Sequence, residues 1–529
     1  MTNGAVFRII ANDGNQDKIL TANGILQRRL KRVENARMND PSYSDDPSPT
    51  LLDVTKTHTF HMHATFKPFV ASAYEYAKIS SQSGTSSLGS KITFSIPQFG
   101  DFFSDCALYV KLTAPRFSKA SGSDTELPSA RWAALPGGRL IQKADFTVNG
   151  NQLDEYTQDT YAFYNHFLVG PEKRAGWNRC MGQENPRESY LTPSAAATTV
   201  DNHRVRMDVA EGHQTLKGDN SVGDLIMTIP LLFWFALDVK RAMPSIAIPY
   251  GQRFINLELA TQAQMCYFHG RGNSDGAPVV DTAVTVSEIY MYINNIFVIP
   301  AVHDIFVRRI GFYLVRVHRT QKTTLTASSG SIHLNNMKWP LESMFVGVRI
   351  LDYQTTAADN DKWHEFYSNN SYSNANRYNI TGVAGNDNAD ATAGTQPYTH
   401  AFLPVRTLAT MVIKAHGVDL YKSMPAQMYD SYFPTVHSPG CMSAPSIEGP
   451  MFVNFALHAY NRAGDPSGHL NVSRAREFYL DYVSNTYSDS TNVIGSVSGN
   501  TKNGQLVIDA CALNFLLVTD GSAVMRYST

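Results

Sequence analysis

The sequence predicts an all-β chain made of two related sandwiches, because segments recur in order, strands alternate apolar and polar residues, and long polar loops separate them. The clearest recurrence pairs Pro230–Asp238 (PLLFWFALD) with Pro450–His458 (PMFVNFALH), so that proline and Phe-Ala-Leu return 220 residues later. That distance is far longer than the period of a solenoid and indicates a duplicated domain. A chain that contains one β unit twice is more naturally a scaffold than a catalyst.

Four further matches keep the same order and nearly the same spacing in the two halves. They pair Val110–Leu112 with Val348–Ile350, Val148–Leu153 with Ala415–Leu420, Arg253–Leu259 with Glu477–Val483, and Ile293–Val298 with Leu513–Val518. One such match could arise by chance, but five in register favour duplication.

Alternation of apolar and polar residues predicts half-buried strands in both halves. It is strict in His58–Phe66 and Lys91–Ile96, and it returns at Val453, Phe455 and Leu457. The other predicted strands are Leu108–Leu112, Phe146–Val148, Leu231–Phe235, Phe254–Leu259, Val284–Val298, Phe312–Val317 and Met344–Ile350, the last apolar enough to be covered on both faces. Antiparallel sandwiches with long loops at their ends are typical of jelly rolls.

The predicted boundaries give a first jelly roll over residues 51–300 and a second over 311–529. Between them, 301–310 is a connecting helix, since Pro300 suits a first helical position and an apolar stripe follows it. The inward faces are expected to include Phe94, Phe235, Phe254, Phe455, Phe478 and Phe515. Long loop insertions are expected at Ala114–Pro136, Gly170–Gly223, His269–Thr282, Gln354–Pro397 and Tyr421–Pro450.

Residues 1–50 form a predicted N-terminal arm. Within it, Asp17–Val33 has the spacing of an amphipathic helix rich in arginine and lysine, and Asn39–Thr50 is a Pro/Ser/Asp linker. The basic run Arg28–Arg32 fits either a solvated helix face or a segment that docks on a membrane or an acidic partner.

Composition excludes some classes of function. The formal net charge is −1 and 17% of residues are charged, which argues against nucleic-acid binding as the main function, since that needs a basic excess. Five widely spaced cysteines without a CxxC favour free thiols and a reducing compartment. The N-terminus lacks the apolar core of a signal peptide, and the apolar run Ile229–Leu237 is too short to span a bilayer. The chain is therefore expected to be made in the cytosol.

No pattern in the sequence predicts a catalytic, cofactor or metal site, so we expect the protein not to be an enzyme. The best metal candidates are His58, His61 and His63, but no further ligands are visibly placed to complete a zinc site. His364 followed by Glu365 lacks the second histidine of HExxH, and Gly84–Gly89 is neither a nucleophile elbow nor a phosphate loop. The acidic loop Gly385–Gly394 likewise misses the spacing of a calcium loop. A jelly-roll carbohydrate-binding or cupin-like metal protein that uses His61 and His63 is the alternative function.

Several segments are specific enough to indicate a family. The chain resembles the major capsid proteins of large nucleocytoplasmic DNA viruses, and among them most closely those of the African swine fever virus group. The resemblance rests on motifs that run from end to end of the chain. They are Ala11–Gly14, Phe66–Pro68, Leu88–Phe103, Val148–Tyr156, Ile246–Ile255, Tyr292–Gln321, Met337–Gly347, Asp465–Tyr479 and Ser522–Thr529.

The resemblance implies a double jelly roll, two eight-stranded antiparallel sandwiches side by side, that forms a homotrimer. Such trimers are pseudo-hexagonal capsomers that tile an icosahedral shell. The expected partners are neighbouring capsomers, minor and penton capsid proteins, and an inner membrane reached by the N-terminal arm, without direct genome binding. Assembly in the host cytoplasm is implied as well. Ala114–Pro136 is much shorter than the first outward loop expected of the swine fever relative.

Overall fold

The computed structural model is strand-rich, and its strands fall into two groups joined by one helix. The residues it describes are 72–82, 86–113, 116–118, 129–183, 189–190, 204–205, 224–249, 251–269, 279–308, 311–355, 360–372, 401–438, 442–458, 466–473, 475, 477–486, 493–497, 500–519 and 522–527, together with Arg32 and Asn35. The predicted strand His58–Phe66 lies outside them.

In the described part of the chain, the first group contains fifteen strands. They are β1 Ser72–Ser80, β2 Lys91–Ser95, β3 Phe102–Leu112, β4 Arg116–Ser118, β5 Ser129–Trp132, β6 Ile141–Val148, β7 Asn151–Thr157, β8 Ser189–Tyr190, β9 Arg204–Val205, β10 Leu225–Pro230, β11 Met243–Pro244, β12 Arg253–Leu259, β13 Cys266–His269, β14 Val279–Thr282 and β15 Val286–Val298.

The second group contains fourteen strands among its described residues. They are β16 Gly311–Leu325, β17 Ser329–His333, β18 Pro340–Ile350, β19 Tyr367–Tyr372, β20 Ala401–Arg406, β21 Leu408–Ala415, β22 Val418–Pro425, β23 Met451–Asn454, β24 Leu470–Asn471, β25 Phe478–Ser484, β26 Gly495–Val497, β27 Asn500–Lys502, β28 Gly504–Thr519 and β29 Ser522–Met525.

Helices are short and lie between strands. Among the residues described from Ser72 onward, the α-helices are α1 Pro136–Leu140, α2 Gln158–Phe163, α3 Pro171–Cys180, α4 Trp234–Leu237, α5 Gln262–Met265, α6 Pro300–Arg308, α7 Asp352–Thr355 and α8 Phe433–His437. Tyr164–Leu168 and Met428–Tyr432 are π-helical, and Val239–Arg241, Ser245–Ala247, Asn335–Met337 and Asn360–His364 are 3₁₀ turns. Helix α6 begins at Pro300 and lies between β15 and β16, where the sequence predicts a connecting helix.

The two groups of strands have the same topology. In the first, the main sheets run β1-β15-β3-β10 and β2-β12-β6-β7; in the second they run β16-β28-β18-β23 and β17-β25-β21-β22. Numbered within its own group, each set of eight strands follows the orders 1-8-3-6 and 2-7-4-5, with antiparallel neighbours throughout. This is the eight-stranded jelly roll, present twice, and the predicted double jelly roll is confirmed.

The hairpins β6–β7 and β21–β22 show the duplication at the level of single residues. Asn149 and Gly150 turn the first with φ of 52° and 82°, and His416 and Gly417 turn the second with φ of 52° and 75°. A two-residue turn with positive φ at both positions matches the twist of the strands that it joins. In each hairpin the second strand then has one unpaired extra residue, Leu153 or Leu420, so the predicted match of these segments holds in three dimensions.

Most predicted strands are present. Those at Lys91–Ile96, Leu108–Leu112, Phe146–Val148, Phe254–Leu259, Val284–Val298 and Phe312–Val317 fall within or nearly coincide with β2, β3, β6, β12, β15 and β16. Every residue of β18 is buried, as expected for a strand covered on both faces. The buried apolar residues form one cluster that continues from the first roll into the second.

The strand predicted at Leu231–Phe235 is wrong. β10 ends at Pro230, and α4 begins four residues later. The turn brings Phe235 into the core, with its ring centroid 5.1 Å from that of Phe103 and 5.0 Å from that of Phe146. A short continuous apolar run has no period that distinguishes a buried strand from a buried helical turn.

The strand predicted through Leu457 also ends early. β23 stops at Asn454, whose side chain donates to the Ala456 carbonyl at 2.6 Å and accepts from the Ala456 amide at 3.0 Å. An asparagine that bonds the backbone two residues on favours a turn over a strand. Leu457 is consequently exposed, while Phe455 lies partly buried against the core.

Two of the six phenylalanines predicted to face inward do not. Phe94, Phe235 and Phe478 are fully buried and Phe455 partly so, whereas Phe254 and Phe515 lie on outer faces of their sheets. Strand faces alternate residue by residue, so a register error of one residue reverses the face.

The strand pairs show why Phe254 faces outward. Val148 pairs with Arg253 and its counterpart Ala415 pairs with Phe478, so Phe254 corresponds to Tyr479 and not to Phe478. In β28 the buried neighbours Asn514 and Leu516 likewise turn Phe515 outward, where its ring stacks on that of Phe312 at 4.7 Å.

Candidate assembly surfaces

The two jelly rolls meet along a seam with an aromatic layer at its centre. One side of the first roll, formed by β7, α2 and Tyr164–Leu168, packs on the outer face of β16, β28 and β18. The Phe163 ring lies parallel to that of Phe366 with centroids 4.5 Å apart, and 5.6 Å from that of Phe345. Phe167 stacks on Phe345 at 5.0 Å. The side of the first roll is thus covered by the outer sheet face of the second roll. We call this contact the inter-roll seam.

A buried carboxylate anchors the seam. Asp159, near the start of α2, is fully buried; its Oδ1 lies 2.6 Å from Nη1 of Arg349 and its Oδ2 2.6 Å from Nζ of Lys322. Burial alone would raise the pKa of Asp159, but the two charges and their hydrogen bonds lower it to about 2. Asp159 is therefore ionised across the physiological pH range and ties the first roll to two strands of the second.

Arg349, which pairs with this carboxylate, makes further hydrogen bonds across the seam region. Arg349 also donates to the Trp363 carbonyl at 2.7 Å and to Gln505 Oε1 at 2.7 Å. The Trp363 indole donates back across the seam to the Ala134 carbonyl at 2.7 Å. Buried charges are tolerated when they are paired and hydrogen-bonded in this way.

A second ionic cluster lies along β7 and β16. His318 Nδ1 is 3.2 Å from Asp154 Oδ2, and the His318 amide donates to Oδ1 of the same carboxylate at 3.0 Å. Burial opposes the imidazolium, but Asp154 outweighs it and raises the pKa of His318 to about 8. Asp509, buried beside them, has its pKa raised to about 6, chiefly by desolvation.

The two surfaces that meet at the seam each have a counterpart on the other roll, and both counterparts are exposed. The outer face of β1, β15 and β3 carries the exposed Tyr74 and Tyr76, and Ile226 of β10 extends it. On the second roll, β22 and the helices after it expose Val418, Leu420, Tyr432 and Val436. We call these the tyrosine face and the β22 side.

Side-chain contacts fix the shape of the tyrosine face. The Tyr76 hydroxyl donates to Asp105 at 2.7 Å, and Asn294 donates to the other oxygen of that carboxylate at 2.8 Å. Tyr109 and Tyr290 stack at 5.5 Å, with Nζ of Lys78 3.5 Å from the centroid of the Tyr290 ring. Aromatic groups that are already held in place lose little entropy on association.

The candidates named from sequence do not form a chemical site among the described residues. His58, His61 and His63 lie outside these residues, as do Gly385–Gly394 and all of Asp17–Val33 except Arg32, which is helical and exposed. His364 accepts through its carbonyl from His166 Nε2 at 3.0 Å. No group of three or more potential metal ligands occurs in the described ranges, and no described helix is long and apolar enough to cross a membrane.

Sequence reasoning missed the residues of the seam. Arg349 carries a usable signal, since a guanidinium inside the apolar run Met344–Ile350 requires a buried partner. Nothing local to Asp159 or His318 identifies their partners, which lie more than 150 residues away in the chain.

An eight-stranded jelly roll, present twice and packed side by side, defines a class of viral capsid proteins, and the comparisons place the chain within it. A family model described as "Major capsid protein N-terminus" matches residues 65–298, and one described as "Large eukaryotic DNA virus major capsid protein" matches 297–524. The chain belongs to the major capsid protein family of large eukaryotic DNA viruses.

Individual relatives agree with this assignment. The chain is 29% identical to the hexon protein p72 of African swine fever virus, with both chains covered in full. It resembles the Faustovirus major capsid protein structure with a TM-score of 0.66 and 28% identity, over 96% of this chain and 100% of that one. The PBCV-1 virus capsid shares the fold alone, with a TM-score of 0.59 and 18% identity over 87% and 98% of the two chains.

The function follows from the family. The chain is a structural component of a virion capsid. The alternative of a carbohydrate-binding or cupin-like metal protein is wrong, because the relatives and the structural neighbours are capsid proteins.

Proposed function

We propose that three copies of the chain associate about a threefold axis into a capsomer that is the repeating unit of an icosahedral shell. The observation that carries this is the identical topology of the two jelly rolls, packed side by side. Two similar rolls per chain place six similar units around one centre. A closed trimer then approximates a hexagon, and hexagons can tile a shell.

The native mass of the purified full chain tests this proposal. The expected result is a mass of three chains, with six lobes around a central axis in low-resolution images of the particle. Such interfaces are extensive, so the free chain is expected to be poorly soluble or dependent on a chaperone. A stable monomer at concentrations that support assembly would refute the trimer.

The division of the chain suggests the orientation of the capsomer. We assign residues 1–50 to an arm at the inner base, 51–300 and 311–529 to the two rolls, and 301–310 to their connector. The amphipathic spacing of Asp17–Val33 behind a Pro/Asp linker supports docking rather than packing within a sandwich. Loops such as Gln354–Pro397 then crown the outside.

Deletion of Met1–Thr50 tests the role of the arm. The trimer is expected to persist while shell assembly fails, because the arm contacts a neighbouring capsid protein or the inner membrane. Limited proteolysis of intact particles provides the second readout. Ready cleavage within the arm while Gln354–Pro397 stays protected would reverse the orientation.

The remaining partners follow from the same assignment. Neighbouring capsomers, minor and penton capsid proteins surround the trimer, and no direct contact with the genome is expected from a chain of net charge −1. Synthesis and assembly take place in the host cytoplasm. The protein acts as a scaffold without an enzymatic activity or cofactor of its own.

A further inference from the structure

The two jelly rolls leave a polar cleft between them beside the inter-roll seam. Strands β7 and β16 line it, together with residues of the segment 335–339 and of the segment 524–527. Its volume is about 770 Å³, which lies in the range of cavities that bind ligands. We call it the β7–β16 cleft.

Two cations in the cleft have no carboxylate partner among the described residues. Arg319 lies on β16 with its Cζ 3.6 Å from the centroid of the Trp339 ring, and its Nε is buried without a hydrogen bond. Burial lowers the pKa of Arg319. Lys338, the residue before Trp339, is exposed. The cleft therefore contains two positive charges that an anionic ligand can pair with.

The carboxylates that line the cleft already have partners. Asp154 Oδ2 lies 3.2 Å from Nδ1 of His318, and Glu155 Oε2 lies 2.9 Å from Nζ of Lys143. Both carboxylates oppose the effect of burial on Arg319, but the effect of burial is larger. Since these carboxylates are shared with other cations, the cleft keeps an excess of positive charge, and a group of opposite charge is attracted there.

The rest of the lining suits a polypeptide. Four carboxamide side chains line the cleft, those of Asn151, Gln152, Asn335 and Asn336. A carboxamide both donates and accepts hydrogen bonds, as the backbone of an extended peptide does. Trp339 is 6% exposed and Arg319 covers its ring, so it offers no open aromatic face on which a nucleobase could stack.

The sequence contains a segment with the complementary charge. Residues 39–50 (NDPSYSDDPSPT) carry the aspartates Asp40, Asp45 and Asp46 and no basic residue. Three prolines in the same segment favour an extended chain, which leaves its backbone groups available to the carboxamides. We call residues 39–50 the acidic linker.

Chain connectivity allows the acidic linker to reach the cleft. Ser72, the first residue of β1, pairs with Val298 at the end of β15, and α6 then leads to Gly311 at the start of β16. Along that path lie roughly 14 Å of helix and roughly 27 Å of strand before Arg319. Residues 51–71 can extend to roughly 70 Å, so their length does not limit the contact.

We propose that the acidic linker docks in the β7–β16 cleft of its own chain, with the adjacent Asp45 and Asp46 against the two unpaired cations. The contact places the start of the body of the chain and the end of the N-terminal arm beside the junction of the two rolls. It goes beyond the assignment of the arm to the inner base, and it does not depend on the trimer.

Hydrogen–deuterium exchange of the full chain tests the contact. The amides of residues 39–50 are expected to exchange at least tenfold more slowly than in a free peptide of the same sequence. Arg319→Gln/Lys338→Gln leaves the linker unchanged and should bring its exchange to the rate of the free peptide. Lys240→Gln/Lys502→Gln removes the same charge at two exposed lysines outside the cleft and should keep the protection. An unprotected linker in the wild-type chain, or protection that survives in Arg319→Gln/Lys338→Gln, overturns the proposal.

Reversal of charge separates ion pairing from a general loss of structure. Lys338→Glu should abolish the protection of the linker, and either Asp45→Lys or Asp46→Lys, added to it, should restore the protection. If neither restores it, the assigned pairing is wrong. Because Lys338 is exposed, these variants also carry the test if Arg319→Gln fails to fold, and thermal unfolding of each variant checks folding.

A cysteine pair identifies the chain that supplies the linker. Ser44→Cys and Lys338→Cys in one chain should form a disulfide on mild oxidation, and the oxidised product should migrate as a single chain on a denaturing gel. Lys338→Cys alone is the control for the natural cysteines. A covalent dimer would show that the linker comes from another copy and would overturn docking within the chain.

Discussion

The seam inside the chain and the β22 side occupy equivalent places on the two rolls, but their chemistry differs. The seam sets a buried ion pair, Asp159 with Arg349, beside its aromatic layer. On the β22 side the strand pairing puts Tyr421 at the position of Asp154, and apolar side chains such as Leu420 are exposed. A buried ion pair contributes little net stability, because desolvation offsets the attraction, but removal of one partner leaves an uncompensated charge. Such a pair suits a contact that is made once, during folding, between partners on the same chain.

An apolar and aromatic contact suits association between separate chains. Such surfaces can be exposed before assembly without leaving a buried charge unpaired, and their burial supplies most of the driving force for association. Duplication thus gives the two rolls the same geometry, and their side chains differ where the first roll is covered and the second is open. The predictions below test this difference, from the largest expected effect to the smallest.

The largest effect is expected from breaking the buried pair. Asp159→Ala leaves Arg349 buried without its carboxylate and should lower the free energy of unfolding by about 3–5 kcal/mol. Urea denaturation followed by tryptophan fluorescence measures the loss, since Trp363 lies in the seam. Asp481→Ala removes the partially exposed Lys414–Asp481 pair on the second roll and serves as control, with an expected loss below about 1 kcal/mol. Similar losses of unfolding free energy in Asp159→Ala and Asp481→Ala would show that the buried ion pair does not stabilise the seam.

The next prediction compares the cores of the two rolls. Phe235→Ala removes a fully buried ring and should cost about 3–5 kcal/mol. Phe455→Ala removes a partly buried ring from the second roll and should cost less, about 1–3 kcal/mol. Phe254→Ala, on an outer sheet face, should stay within about 1 kcal/mol of wild type. The midpoints of chemical denaturation rank the three variants. If Phe254→Ala lost as much unfolding free energy as Phe235→Ala, Phe254 would face inward as the sequence predicts.

The pairing of the strands explains which parts of the fold could be predicted from the sequence. Repeated segments and alternation depend on neighbouring residues, so the two rolls, most strands and α6 were predictable. The inward face of β12 was not, because a match between Phe254 and Phe478 is one residue out of register, and one residue reverses a strand face. The seam was not predictable either, since His318 and Asp154 are 164 residues apart and meet only through the packing of complete rolls.

A pH effect of intermediate size is expected at the seam. Between about pH 4 and 6 the folded chain keeps a proton on Asp509 that the unfolded chain has lost, because burial raises the pKa of Asp509 to about 6. Stability therefore falls as pH rises through this window. Asp509→Asn cannot ionise and should be more stable than wild type by about 2–3 kcal/mol at pH 7, and nearly equal to it at pH 4.

The histidine adds to this trend at higher pH. The pKa of His318 is raised to about 8, so its stabilising contribution is complete below about pH 6.5 and is lost as pH rises through 8. His318→Gln should remove the contribution of the histidine between pH 6.5 and 8 and move the Asp509 window to higher pH, because the charge of His318 lowers the pKa of Asp509. Denaturation midpoints collected from pH 4 to 9 measure both effects. A flat profile for the wild-type chain would exclude titration at the seam.

The smallest effect concerns the turn that the two rolls share. Gly150 and Gly417 both have positive φ, and an added Cβ would meet no atom within 4 Å at either position. Replacement by alanine therefore costs only backbone strain, about 1 kcal/mol, and the cost should be equal in the two rolls. His416 has the same φ of 52° as Asn149, and asparagine is favoured there. His416→Asn should consequently raise the unfolding free energy by a few tenths of a kcal/mol. Asn149→His should lower it by more, about 1 kcal/mol, because the Asn149 side chain also accepts a hydrogen bond from the Gln252 amide at 2.9 Å. Thermal midpoints of the two glycine variants, His416→Asn and Asn149→His measure these effects. Unequal losses of stability in the two glycine variants would mean that one hairpin is restrained by contacts beyond its own turn.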